Sequence, residues 1–196
     1  MSPPARPPLT LRDFGPREFS LVLLRRMEDF QPALVEDAAT FLGADRAELR
    51  AVHRWWQAAI RSRTLPSGTR RAGLVLGRPD HDERMPYGDL TVVVRHWQLP
   101  LWPDLRWQIV AAPTGTVLQE ALVRAPGVPR PDLADVAALR PWSCTVDDLA
   151  AEHPQATHHD DGVHSRWTVI ARAADGGDRR LTFAWGLLQR VSKTDD

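Results

Sequence analysis

Apolar residues recur every three or four positions through the first third of the chain and every second position through much of the rest. Helices are therefore expected first and strands afterwards. Gly15-Pro16 opens a first helix, with proline at the first-turn position where its missing N–H costs nothing, and Phe19, Val22, Leu23, Met27 and Phe30 form its inner face. Pro32 starts a second, PALVEDAATFL, with Leu34, Ala38, Phe41 and Leu42 inward and Gly43 placed to take the left-handed stop. A third runs from Asp45 to Arg63; Asp45 caps it, and Glu48 stands where a capping-box carboxylate would reach back. Leu49, Val52, Trp56, Ala59 and Ile60 fall in one stripe about 100° wide, the width of a core-packed face. Arg46, Arg50, Arg54, Gln57 and Arg61 form a second stripe beside it.

The break from Thr64 to Gly68 ends the helical part, and the pattern then changes to period 2. The stretch AGLVLGR reads as a short strand and the acidic run from Arg78 to Tyr87 as a loop. Asp89 to Gln98 is a strand rich in β-branched residues. Arg106 to Ala111 and Thr116 to Arg124 make a hairpin around Pro113-Thr114-Gly115. Two short helices are expected next, DLADVAAL and one from Thr145, where Thr145 and Asp148 fit a capping box. Ser165 to Ala173 and Arg180 to Arg190 form a final pair across the turn from Asp175 to Asp178. The expected fold is α+β: an N-terminal three-helix unit packed on, or tethered to, a mostly antiparallel sheet of five or six strands with two short helices. The corresponding boundaries are a flexible proline-rich leader at 1–10, a helical unit at 11–68 and a β-rich part at 69–196, which either stands apart or continues the helical domain.

A chain of 196 residues can bury a core without staples, and its single cysteine, Cys144, excludes an intrachain disulfide. With no apolar run long enough for a signal or a membrane span, a cytoplasmic location and no membrane partner are expected. The net charge of zero excludes a general attraction to polyanions. The balance is uneven, however: Arg46 to Arg71 carries seven arginines against Glu48 alone. Arginine serves as nearly every base in this chain, Lys193 being the only lysine, so arginine count by itself says little.

That basic region overlaps a motif. Ala39, Gly43, Leu49 and Val52, with Ala38, Leu42 and Ala44 in the remaining apolar places, resemble the helix-turn-helix signature of DNA-binding proteins over residues 34–54. The resemblance implies a recognition helix from Asp45, with Arg46, Glu48, Arg50 and His53 near base edges and Arg54, Arg61, Arg63, Arg70 and Arg71 on phosphates. The same residues also suit an amphipathic core helix with a solvated arginine face, or a basic face that docks on an acidic protein surface.

Two histidine and carboxylate clusters are the other candidates for chemistry. Residues 156–164 carry His158, His159, Asp160, Asp161 and His164, and Asp80, His81, Asp82 and Glu83 precede the Val-rich strand. These are suitable ligand types for zinc, iron or manganese, but the spacing matches no metal motif, so no metal and no cofactor is assigned. A solvated loop leading into a strand is the simpler reading of the first cluster. If the two loops meet across one end of the sheet, His81, Asp82, His159 and His164 line a pocket with Arg95 and His96. Trp97, Trp102, Trp107, Trp167 and Trp185 are expected as core, or as the floor of an apolar ligand pocket. No nucleophile elbow, phosphate loop or HExxH is present, and Cys144 has no histidine nearby in sequence, so no catalytic residue is assigned.

The functional expectation is a non-enzymatic regulatory or adaptor protein that binds nucleic acid through the basic helix, with the β-rich part sensing a ligand or forming a dimer. A small enzyme or ligand-binding protein with a His/Asp pocket at the loop end of the sheet is one alternative, and a protein-interaction module another. Expected partners are duplex DNA or an acidic protein surface, a small molecule, and a second copy of the chain.

Overall fold

The structure, a computed structural model, describes residues 9–63, 65–160 and 162–194. Most of the expected leader, Thr64 and Asp161 lie outside the described residues. Helix α1 (Pro16–Met27) is the centre of the N-terminal part: Phe19, Leu21, Val22, Leu23, Leu24 and Met27 are all buried, so it is covered on nearly every side. α2 (Pro32–Phe41) and α3 (Arg46–Arg61) follow. α2 turns in Val35, Ala38 and Ala39, while Phe41, expected inward, is 74% exposed. Gly43 takes a φ of +67°, which only glycine adopts cheaply, and so ends α2 as expected.

Asp45 caps α3 by accepting the Glu48 N–H at 2.7 Å, but Glu48 does not reach back. Its carboxylate is held instead by Arg17 of α1 at 2.9 Å, and the Arg17 Nε–H also donates to the Leu42 carbonyl at 2.8 Å. One arginine thereby fixes the turn between α2 and α3 against α1. Phe14 stacks on Trp55 and Trp56, with ring centroids 4.7 and 5.2 Å apart, and holds α3 from the other side.

The stretch read as a first strand is a helix, α4 (Gly68–Leu76). A short apolar run does not declare its period. Here Ala72, Val75 and Leu76 at helical spacing pack on the core while Leu74 between them is exposed, which decides for the helix. The acidic stretch read as a loop contains β1 (His81–Tyr87). All seven of its residues are exposed, so it has no alternation to betray it; pairing with its neighbour makes it a strand.

β1, β2 (Leu90–Leu99), β3 (Trp102–Ala111) and β4 (Val117–Arg124) form one antiparallel sheet in chain order. The C-terminal half holds α5 (Val146–Glu152) and a second four-stranded antiparallel sheet, β5 (Thr157–Asp160), β6 (Arg166–Arg172), β7 (Asp178–Ala184) and β8 (Leu187–Lys193), again in chain order. The fold is α+β with antiparallel sheets, as expected, but the described residues form two sheets of four strands instead of one of five or six. The loop expected at residues 157–160 is β5, and the segment from Arg180 to Arg190 is two strands. DLADVAAL supplies only a single 3-10 turn at Val136–Ala138, and the Thr145–Asp148 capping box opens α5 as expected.

The two sheets meet at the turn between β7 and β8. Trp185 and Gly186 both have positive φ, +51° and +78°, the signature of a two-residue hairpin turn that matches strand twist. The turn is bonded on three sides: the Leu122 N–H of β4 donates to the Trp185 carbonyl, the Val146 N–H to the Gly186 carbonyl, and the Trp185 N–H to the Ser165 carbonyl, each at 2.8 Å. Beside it, Arg124 at the end of β4 grips Asp148 of α5 through contacts of 2.7 to 3.1 Å. One apolar core lies between the helices and the first sheet and a second between the second sheet and α5. Among the described residues no helix is long and apolar enough to cross a membrane.

Candidate functional site

Where α1, α3 and α4 lie over β3 and β4 they leave a cavity of about 290 Å³. Such a volume stands at the lower end of ligand pockets and would hold roughly ten waters at ~30 Å³ each. The apolar wall is built from both layers: Phe19 and Leu23 of α1, Trp56 and Ile60 of α3, and Trp107 and Ile109 of β3. Trp185 closes one side, so the joint between the sheets also completes the wall. Trp107 meets Phe19 edge-on at 5.2 Å and Trp185 edge-on at 5.5 Å.

Polar groups enter at two places. His53 projects from the flank of α3 between the buried stripe and the arginine stripe, and its half-buried ring carries a buried Nδ1 with no hydrogen-bond partner. Burial, reinforced by Arg25 and Arg26, holds its pKa below the usual histidine range, so the ring is neutral at pH 7. At the mouth stand Arg71 of α4, Glu120 of β4 and His164 from the loop before β6. The Arg71 guanidinium lies over the Trp56 ring, 5.6 Å from its centroid. The His164 Nε2 is 3.9 Å from a Glu120 carboxylate oxygen. Burial raises the Glu120 pKa above the ordinary carboxylate value, and His164 and Arg71 act in the opposite sense.

Glu120 is carried inward by register. It pairs with Ile109, which pairs with Arg95 of β2, so the three form a row across the sheet. The mouth opens into a wider groove lined by Arg70, Arg71, Arg95 and the β3–β4 turn.

The residues expected to meet nucleic acid divide into two sets. Arg46, Arg50, Arg54, Arg61, Arg63 and Arg70 are exposed, with Arg46 paired to Glu36 at 3.0 Å. His53 and Arg71 belong to the cavity. The six residues expected to share a His/Asp pocket are likewise separated. His81 and His96 stack at 5.5 Å, and Asp82 accepts from Arg95 at 2.9 Å, all on β1 and β2 at one edge of the first sheet. His164 stands at β4, the opposite edge, and His159 is exposed on β5. Of the six, Arg95 and His164 reach one groove, and His159 and His164 line a second beside β4 and β6. The His96 ring is half-buried and satisfied on one side by Gln108 at 3.0 Å. Among the described residues, no three histidine, cysteine or acidic side chains are placed to hold a metal ion. Trp97 and Trp102 are core, and the Trp97 Nε1–H donates to the Gly77 carbonyl.

Expectation from sequence omitted Glu120 and the cavity-facing set of Phe19, Trp56 and Ala72 as site residues. A signal for Glu120 was present: in VLQEALVR it shares strand parity with Leu122, so a charge occupies an inward position.

No known protein family matches the sequence, and no curated protein is significantly similar to it. Among solved structures, a candidate beta-lactamase inhibitor protein from Streptococcus mutans is similar over 66% of this chain and 83% of its own, at 10% identity and a TM-score of 0.28.

Proposed function

We propose that this protein binds a small molecule with an apolar body in the cavity beneath α3. The observation that carries the reading is the cavity itself, an apolar wall of Phe19, Trp56, Trp107 and Trp185 with Arg71 and Glu120 converging at its mouth; three of its lining residues, Trp107, Trp185 and His53, also carry buried polar atoms without partners. A buried polar atom left unpaired costs about 1 to 3 kcal/mol, and an occupant that supplies partners recovers that cost. Pre-formed apolar walls with a few convergent polar groups are the usual form of a ligand site. Indole is a neutral probe of suitable size. Titrated into the full chain, it is expected to change the tryptophan fluorescence saturably and to raise the thermal midpoint. No binding of indole or of comparable neutral aromatics at millimolar concentration would remove the reading.

A second reading, that the chain also meets duplex DNA, is favoured by a separate observation: Arg50, Arg54, Arg61 and Arg63 are exposed along and just beyond α3, the helix whose adjoining flank lines the cavity. A ligand-responsive regulatory protein combines both readings. Binding through three or four arginines should lose affinity with a log–log salt slope of roughly −3, at about −0.9 per phosphate neutralised. Fluorescence anisotropy with duplex DNA at low salt tests this; absence of binding there, or an unchanged slope in the triple variant Arg50→Ala, Arg54→Ala, Arg61→Ala, refutes it.

A further inference from the structure

Resting on the cavity reading, we infer that the occupant is a compact apolar monocarboxylate, an aryl or short acyl acid, whose carboxylate lies at the mouth beside Arg71 and whose body fills the space between Trp56 and Trp107. Three observations select this class. The first is charge: among the described residues Arg26 and Arg71 line the cavity against a single carboxylate, Glu120, and Arg70 extends the positive side into the outer groove. The second is hydrogen-bonding demand. Trp107 is 1% exposed and its Nε1–H, like that of Trp185, is a donor with no acceptor, so the unmet demand on these two lining residues is for an acceptor, which favours a carboxylate over an ammonium group. The third is the placement of Arg71. Its guanidinium rests on the Trp56 ring with its donors at the mouth, and a planar fork of donors suits two carboxylate oxygens together.

Glu120 is compatible with an anion next to it. Burial disfavours its charged form and raises its pKa, and Arg71 and His164 stand beside it, so its repulsion of an incoming carboxylate is reduced. A cationic ligand would need the reverse arrangement: its charge would meet Glu120 but also Arg71, which already occupies the face of Trp56. The volume of about 290 Å³ limits the body to one ring system or a short branched chain.

The test is an isosteric series that differs only in head-group charge: 3-phenylpropionate, 3-phenylpropanamide and 3-phenylpropylamine, titrated calorimetrically into the full chain at pH 7. The acid is expected to bind at least tenfold more tightly than the amide, with the amine weakest. In Arg71→Met the acid should lose most of its advantage over the amide. In Glu120→Gln the preference for the acid should persist. A matched urea midpoint for each variant shows that it is folded. Equal affinity for acid and amide, or preference for the amine, overturns the assignment of class and leaves the cavity reading standing. Failure of all three together with indole overturns both.

Discussion

Replacing Gly186 by alanine should be among the most damaging single-methyl additions in this protein. The residue sits at φ +78°, where a side chain strains the backbone by about 1 to 2 kcal/mol. A Cβ there would lie 2.8 Å from the Leu122 carbonyl oxygen and 2.9 Å from the Ala121 Cβ, both parts of β4. The turn cannot withdraw, because its hydrogen bonds to Leu122, Val146 and Ser165 tie it from three directions. Overpacking of this kind adds about 1 to 3 kcal/mol, so the total loss should be about 3 kcal/mol. Gly176 provides the control: its φ is +80°, nearly the same, but nothing lies within 4 Å of where its Cβ would be. Gly176→Ala should therefore cost only the backbone strain. Urea unfolding of both variants, followed by tryptophan fluorescence, separates the two contributions. At a slope of ~2 kcal/mol per molar urea, the midpoints should differ by roughly 1 M. Equal losses in the two variants would show that the close approach of the second sheet to β4 is not as described.

Acid should weaken the same joint. Burial pushes the Asp148 carboxyl upward, but the Arg124 guanidinium and the Thr145 N–H outweigh it, and the folded pKa lies below the ordinary carboxylate value. A depressed pKa contributes stability that is complete above the unfolded value, near ~3.9, and is lost as pH falls through it toward the folded one. The urea midpoint should thus decline below about pH 5, and Asp148→Asn should flatten part of that decline while costing about 3 kcal/mol at pH 7 by leaving Arg124 without its partner. An identical pH profile in the variant would contradict this. Cys144 is fully buried, and burial with Asp148 nearby pushes its thiol up to about 12. It should react with a thiol reagent in native buffer only on the timescale of unfolding, and promptly in denaturant; rapid stoichiometric labelling of the native protein would refute its placement.

Some of this architecture is legible in the sequence and some is not, for physical reasons that differ by element. α3 is legible because its cap and its apolar stripe are local properties of consecutive residues. Its caps and stripe do not reveal that Glu48 turns to Arg17, which is 31 residues away. α4 and β1 are not legible because neither carries a period of its own that decides the matter: the core selects the helix, and β2 selects the strand. The turn between β7 and β8 was hidden within an apolar run because it uses tryptophan at positive φ, where Asn or Asp is the usual signal. The cavity is the least legible feature, since its wall is assembled from three helices, two strands, a loop and the β7–β8 turn. The charges that matter there, Glu120 and Arg71, gain meaning only from their neighbours across space.

The order of strands in both sheets has a consequence for how the molecule is assembled. Every strand pairs with its neighbour in sequence, so each hairpin can close without waiting for a distant segment, and local closure is quick. α1–α4 and β1–β4 are complete by Arg124, and the first half can consolidate while the rest is still being synthesised. The contacts of Trp185 and Gly186 with β4 come last, because they require both halves. Trp185 is also a wall of the cavity, so the cavity is the last feature the nascent chain completes, and the first to open when the halves part.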